Sequence, residues 1–292
     1  MQGIMTAPDS PFAALRPRLF AIAYRMLGTR ADAEDVLQDA WLRWHCADRA
    51  TLQSAEAWLV TVTTRLAIDR LRARQNEAYP GWWLPEPLVT QEHNTPETAA
   101  ELAGEVSLAL MWVLERLAPE ERAAFLLRQV FEEDYPDIAA MLGKSEAASR
   151  QLVHRAQERV RRHSPRFDVP KAAHAQLLDT FMRAAQAGDR AAMKALLADD
   201  VQLVADGGGK VNSFLHILRG AGRVAGVYWS LEHQFPGQVA YRAAQINGEP
   251  GLLRYVDGVI ESAQSLIVDA GHIVAVLIVR NPDKLGGTPI FS

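Results

Sequence analysis

The sequence predicts a multidomain chain: two all-α helical domains followed by a smaller α+β domain. Three observations carry this reading. Apolar residues recur at three- and four-residue spacing through most of the first 163 positions, which is the period of helices with one buried face. Two proline-bearing breaks, AYPGWWLPEPLVTQEHNTPE and SPRFDVP, forbid continuous helix. Beyond the second break, two helical segments give way to short strand-like runs, several of them separated by Gly or Asp.

The first domain is expected over residues 8–78. Its opening helix carries Phe12, Leu15, Leu19, Ile22 and Met26 on one face, and Gly28 ends it. The next, ADAEDVLQDAWLRW, has a core stripe of Val36, Leu37, Ala40, Trp41 and Trp44. Its other face presents Asp35, Gln38, Asp39 and Leu42 at i, i+3, i+4 and i+7. A long third helix runs from about Ala55 to Arg74, with Trp58, Leu59, Val62 and Leu66 inward and Thr61, Thr64 and Arg65 sharing an exposed side. Asp69 suits a structural pair with Arg65 or Arg72 one turn away. Residues 79–107 form a linker, although helix is expected to resume near Pro96.

The second all-α domain, 108–164, ends in a helix-turn-helix. Pro136 opens its first helix, where a missing N–H is harmless. Gly143 supplies the tight turn, and Ser145 is the expected N-cap of the second helix. In that second helix Leu152, Val153, Ala156 and Val160 face inward, leaving Ala147, Arg150, Gln151, His154 and Arg155 outward, with Arg159 and Arg162 extending the line. Such a helix fits the DNA major groove; the other reading is a solvated charged helix in an ordinary bundle. The chain is acidic overall, with a net charge of −4, yet basic residues dominate from Lys144 to Arg166 and again in RLAIDRLRAR. Local basic faces, not the whole-chain sum, govern phosphate contact.

The third domain, 170–292, begins with helices over about Lys171–Ala187 and Asp189–Leu197, and residues 213–230 have room for another. VQLVA, QVAYRAAQI, GLLRYV, GVIESAQSLIV and HIVAVLIV read as antiparallel strands. Asp206, His216, His233, Asp257, Glu261 and His272 are acid–base residue types, but their spacing does not converge them on one pocket or on a metal. The glycines of DGGGK permit a tight backbone path after VQLVA; the Walker spacing of a phosphate loop is missing.

Composition bounds the rest. An apolar fraction of 49% supports packed cores, and no apolar run approaches the roughly 20 residues of a membrane span. The start, MQGIMTAPDS, lacks a cationic segment followed by an apolar one, so a cytoplasmic chain with no membrane partner is expected. Cys46 stands alone, which excludes an internal disulfide and a Cys-rich zinc site; a half-buried filler is its expected place.

These motifs together resemble the extracytoplasmic-function sigma factors of bacteria. ADAEDVLQDAWLRW is similar to their region 2.2, AWLVTVTTRLAIDRLRAR to regions 2.3 and 2.4, and residues 108–163 to region 4. Where many members have Arg-Asn, this chain has Thr64-Arg65. WLPEP (83–87), DGGGK (206–210) and NPDKL (281–285) resemble signatures of the SigJ-type subgroup, which carries a C-terminal SnoaL-like extension of the cone-shaped NTF2-like fold.

The resemblance implies a non-enzymatic initiation factor with no cofactor or metal, whose partners are core RNA polymerase, through its β′ clamp and β flap, and promoter DNA. It puts Asp35, Gln38, Asp39, Trp41 and Leu42 on the polymerase. It puts Thr61, Thr64, Arg65, Arg72 and Arg74 at the −10 element. At the −35 element Arg150, Gln151 and His154 would read bases while Lys144, Arg155 and Arg159 hold phosphates. It makes Trp82, Trp83, Leu84, Pro85, Glu86 and Pro87, with Asp206, Gly207, Gly208, Gly209 and Lys210 and with Asn281, Pro282, Asp283, Lys284 and Leu285, an interdomain regulatory set. A small-molecule ligand of unknown identity in the cone is compatible with it. The alternative is a SnoaL-type enzyme or ligand sensor fused to a DNA-binding repressor.

Overall fold

The computed structural model describes residues 11–74, 78–90, 106–163 and 170–286. They fall into two compact units, and the division does not follow chain order. Residues 11–74 and 114–162 make a helical unit, while 78–90, 106–113 and 170–286 make a mixed α/β unit. The expected helix start near Pro96 and most of the SPRFDVP break lie outside the described residues.

In the helical unit, α1 (Pro11–Leu27), α2 (Arg30–Cys46) and α3 (Ala55–Arg74) pack on one another. Gly28 takes φ +78° and stops α1. Thr29 then caps α2, its Oγ1 accepting the Asp32 N–H at 3.3 Å. The buried face of α2 is Val36, Leu37, Ala40 and Trp44, with Trp41 half-buried and Cys46 exposed. The face of α3 differs from expectation. Leu59, Val60, Thr63, Thr64, Ala67, Ile68 and Leu71 are buried, whereas Val62 and Leu66 are only half-buried. Apolar residues surround this helix almost evenly, so periodicity did not single out the face, and threonine methyls fill part of it.

Next come α4 (Leu108–Leu114), α5 (Pro119–Gln129), α6 (Tyr135–Leu142) and α7 (Glu146–His163). Gly143 closes α6 in the left-handed region (φ 64°, ψ 38°), where glycine carries no Cβ penalty. The Ser145 hydroxyl accepts the Ala148 N–H at 3.2 Å. Leu152, Val153 and Ala156 are buried as the spacing requires, and Val160 is half-buried.

The mixed unit is built on one sheet. Its strands are β1 (Val89–Thr90), β2 (Leu197–Asp206), β3 (Leu218–Arg219), β4 (Val239–Ile246), β5 (Glu249–Val256), β6 (Val259–Asp269) and β7 (His272–Val279). Their order is β1-β4-β5-β6-β7-β2-β3, and it departs from the all-antiparallel expectation because β2 runs parallel to β7. On one face α8 (Lys171–Gln186), α9 (Arg190–Leu196) and α10 (Ala221–Gln234) supply Leu178, Phe181, Met193, Val224 and Tyr228 to a core with Leu203, Leu252 and Val276. The other face buries Leu84, Leu108, Ala109 and Trp112 against Val204, Leu253 and Leu277. Alternate residues of a strand thus enter different cores. This explains why HIVAVLIV is apolar almost throughout: both faces of the sheet are covered.

The described residues of the segment expected to be a linker, 79–90 and 106–107, are therefore part of the sheet unit. Val89 and Thr90 pair with Ile246 and Gln245 as an added edge strand. Leu88 makes two bonds with Asn247: its N–H donates to the side-chain Oδ1 at 3.0 Å, and its carbonyl accepts the Asn247 backbone N–H at 2.8 Å. Asn247 and Gly248 form the β4–β5 turn with φ +50° and +73°, the Asn-Gly hairpin signature. A short helix, α11 (Pro282–Leu285), follows β7.

Candidate nucleic-acid interface and a buried ion pair

On α2, Gln38, Asp39 and Leu42 are exposed, Leu42 to 49%. Asp35 is also exposed and accepts from Arg70 at 2.7 Å, and Asp32 shares that guanidinium at 3.1 Å. Trp41 is half-buried against the His45 ring, with centroids 4.4 Å apart. The expected acidic face is thus present, with Leu42 as an apolar centre.

The basic residues expected on DNA are mostly engaged within the helical unit. Arg65 donates from Nε to the Met141 carbonyl at 2.8 Å and from Nη2 to the Ala140 carbonyl at 3.0 Å. These are last-turn carbonyls of α6, and that of Ala140 also accepts the Gly143 N–H at 3.3 Å. Arg72 pairs with Asp69 at 3.2 Å and with Glu120 at 2.6 Å, and Lys144 pairs with the second oxygen of Glu120 at 2.9 Å. The Lys144 hydrogen bond, reinforced by the charges of Lys144 and Arg72, outweighs partial burial and holds the Glu120 carboxyl below its ordinary value. Glu121, itself buried, accepts from Arg155 at 3.3 Å and Arg159 at 2.7 Å. Arg150 pairs with Glu146 and lies over the Tyr135 ring at 4.2 Å, while Gln151 and His154 are exposed.

Two residues need correction. Thr64 was expected on an exposed side, but its position on the buried face of α3 leaves it with no accessible surface. Arg74 is half-buried and anchors the unit, donating to the Leu27 carbonyl at 2.9 Å and to Glu115 at 3.2 Å. Thr61 is half-buried, and its hydroxyl donates to the Ala57 carbonyl at 2.7 Å. Trp58 is half-buried beside Trp44, their ring centroids 5.6 Å apart.

In the sheet unit WLPEP, DGGGK and NPDKL converge on one buried group. The Asp206 carboxylate, fully buried at the end of β2, accepts from Lys284 Nζ at 2.8 Å, the Leu84 N–H at 2.9 Å, the Tyr79 hydroxyl at 2.6 Å and the Gly208 N–H at 3.0 Å. Lys284 also donates to the Leu84 carbonyl at 2.6 Å and lies 4.2 Å from the centre of the Trp83 ring. Burial, and then the bond to Asp206, push the Tyr79 hydroxyl well above its ordinary pKa, so it stays a donor. Asn281 Nδ2 donates to Tyr79 at 3.1 Å, and Asn281 Oδ1 caps α11 by accepting the Asp283 N–H at 3.1 Å. The glycines have a steric cause. A Cβ on Gly208 would fall 2.4 Å from Asn281, and one on Gly209 2.6 Å from Pro80; both have positive φ. Leu84, Pro85, Glu86, Pro87 and Leu285 are buried, Trp82 and Trp83 half-buried, and Lys210 pairs with Asp283 at the surface. Pro282 opens α11.

The acid–base candidates do not meet. Asp206 is held in its ion pair, Glu261 pairs with Arg254 and Arg280, and His216, His233 and His272 are exposed. His272 follows the β6–β7 turn, where Ala270 and Gly271 have positive φ. Among the described residues no helix is long and apolar enough to cross a membrane.

Two family models match, Sigma-70 region 2 over residues 12–77 and Sigma-70 region 4 over residues 107–160. The ECF RNA polymerase sigma factor SigJ of Mycobacterium tuberculosis is 40% identical over 96% of this chain and 94% of its own. The chain belongs to the extracytoplasmic-function sigma factors. The crystal structure of that SigJ superposes on this sigma factor with a TM-score of 0.79 and 37% identity, over 95% of this chain and 98% of the other. The probable ECF sigma factor SigI of the same organism is 28% identical over 95% of this chain and 94% of its own.

The family match to region 4 begins inside the sheet unit, because Leu108, Ala109 and Trp112 are committed to its second core. Glu120 and Glu121 escaped sequence reasoning. In this sigma factor they hold four of the expected DNA cations, yet in sequence they look like ordinary first-turn acids of α5. Tyr79, Pro80 and Asn247 were likewise missed, and of these only Asn247, in an Asn-Gly pair, carried a readable signal.

Proposed function

We propose that this sigma factor joins core RNA polymerase through Asp35, Gln38, Asp39, Trp41 and Leu42 on the β′ clamp, with its region 4 on the β flap. Region 2 then engages the −10 element through Arg65 and Arg72, and region 4 reads the −35 element with Arg150, Gln151 and His154. The C-terminal unit regulates initiation in cis, has no catalytic role, and accommodates a small molecule in its cone. The protein works in the cytoplasm, where polymerase is.

One observation carries the regulatory part: the WLPEP stretch between regions 2 and 4 belongs to the C-terminal sheet and is tied to Asp206 and Lys284. An undocked stretch from 75 to 107 would reach about 110 Å when extended. Docking at 78–90 removes much of that freedom and restricts the separations the two DNA-binding regions can adopt. Cutting the chain after region 4 is a poor way to test this, because it strips Leu84, Leu108 and Trp112 of their sheet partners.

The test is transcription in vitro from a promoter selected with the full chain and core polymerase. Arg150→Ala with His154→Ala should lower initiation about tenfold or more, consistent with roughly 1–3 kcal/mol per bidentate base contact. The variant should also become insensitive to changes in the upstream element. Initiation equal to that of the parent, with the same upstream dependence, rejects these base readers.

The Glu120 contacts lead to a second expectation. Phosphates and Glu120 compete for Arg72 and Lys144, so Glu120→Gln should raise retention on duplex DNA severalfold at low salt and steepen its salt dependence. Because the carboxyl is held below its ordinary pKa, its grip on the cations is complete at neutral pH and lost as pH falls through the depressed value. The parent should therefore approach the variant in acid. Identical DNA retention by parent and variant at neutral pH would remove Glu120 from this role.

A further inference from the structure

We propose that the cavity between α10 and the sheet binds an amphiphilic carboxylate, with its head at Arg254 and its apolar body toward Trp229. This deepens the reading of the C-terminal unit as a cone that accommodates a small molecule. The cavity measures about 840 Å³, within the roughly 300–1,000 Å³ usual for small-molecule sites. Its wall is mainly apolar, including Leu218, Val227, Trp229 and Ile278, and Trp229 is 38% exposed there.

Charge gives the class of ligand. Arg190, Arg219, Arg223, Arg254 and Arg280 line the cavity, and among the described residues no carboxylate does. Arg190 is turned to the Gly222 carbonyl at 3.0 Å. Arg254 rises from β5 with only 2% of its surface exposed. Its Nε, at 2.7 Å, and its Nη2 both donate to Glu261 Oε2, and Arg280 takes the other Glu261 oxygen. One carboxylate thus serves two guanidinium groups. Burial alone would raise the Glu261 carboxyl, but the two arginines outweigh it and hold it below its ordinary value, so it is fully spent.

What is left over points to an anion. Arg254 Nη1 is buried and makes no hydrogen bond. The buried Tyr241 hydroxyl, pushed up to about 12 by burial, faces Arg254 from behind the cavity wall and is not itself part of the lining. An unmade bond at a buried charged donor such as Arg254 Nη1 is expensive. Glu232 is the neighbouring acid felt by Tyr241; it lies outside the cavity lining, and its buried Oε2 has no donor. A carboxylate in the cavity meets the guanidinium of Arg254, and the apolar wall then takes its hydrocarbon.

The assay is tryptophan fluorescence and calorimetry on the full chain, using dodecanoate, dodecanol and dodecyltrimethylammonium below their micelle concentrations. Dodecanoate should bind saturably at least tenfold tighter than dodecanol, and the cation should not bind. Arg254→Met should erase the preference of acid over alcohol. Gly222 lies on α10 with open space where a Cβ would be, so Gly222→Leu keeps the helix and fills the cavity. It should abolish binding of both probes, and the Arg254→Met result is then not needed to exclude misfolding. Equal binding of acid and alcohol overturns the anionic assignment while leaving a cone that accepts ligands. No saturable binding of any probe, or full binding to Gly222→Leu, overturns both.

Discussion

Asp206→Ala should destabilise the C-terminal unit by about 3–5 kcal/mol, the usual loss when one partner of a buried ion pair is removed. The substitution strands the Lys284 ammonium, which is 6% exposed, and withdraws the acceptor of the Leu84 N–H, the Tyr79 hydroxyl and the Gly208 N–H. With domain stabilities of roughly 5–15 kcal/mol, that is a large fraction of the whole. The melting transition of this unit should fall by about 10 °C, since each kcal/mol moves a unit of this size roughly 2–4 °C. Residues 78–90 should become sensitive to protease before the sheet melts, because two of the lost bonds, from the Tyr79 hydroxyl and the Leu84 N–H, hold that segment to β2. Lys284→Met should be milder, leaving Asp206 with its three neutral donors, and the double variant should lose less than the sum of the singles. Initiation in vitro should change with the release of the segment. A melting curve and protease pattern identical to the parent's would show that the pair neither stabilises the unit nor fastens the WLPEP stretch.

Asp35→Lys with Asp39→Lys should weaken association with core polymerase by at least about a hundredfold, equivalent to roughly 3 kcal/mol, because like charges brought face to face repel by several kcal/mol. Folding should survive. Both side chains are exposed, and the ion pair lost among the described residues, Asp35 with Arg70, is a surface contact between groups about half exposed, of a kind that contributes little. Leu42→Asp should act in the same direction, since it removes the apolar centre of that face. Gel filtration or calorimetry with core enzyme reads the result, with circular dichroism as the folding control. Undiminished association in a folded variant would move the polymerase contact to another surface.

Much of the architecture was legible. The helix-turn-helix was readable because its signals are local: Pro136 at the start, Gly143 at the turn, Ser145 at the cap and a clean apolar stripe after it. The strands of the last domain were readable as strands, but their pairing was not, and the parallel β2–β7 contact depends on where the intervening hairpins return. The α3 face was misjudged at Thr64, since an evenly apolar helix gives no direction and a threonine methyl buries as well as a valine's. WLPEP, DGGGK and NPDKL were marked as one set by family resemblance. That they meet at a single carboxylate could not be read from positions 78 to 200 residues apart.

The sequence by itself determined the order of the modules, the caps and turns of the helix-turn-helix, and the placement of basic residues on α3 and α7. Those properties follow from side-chain period, backbone permissiveness and charge along a few consecutive residues. Tertiary structure alone decided that the stretch between the helical regions becomes an edge strand of a distant sheet, that Asp206 is buried opposite Lys284, and that Glu120 and Glu121 occupy the cations expected on DNA. The physical reason is that burial and electrostatic pairing are set by which chain segments approach in space, and sequence distance carries almost no record of that approach.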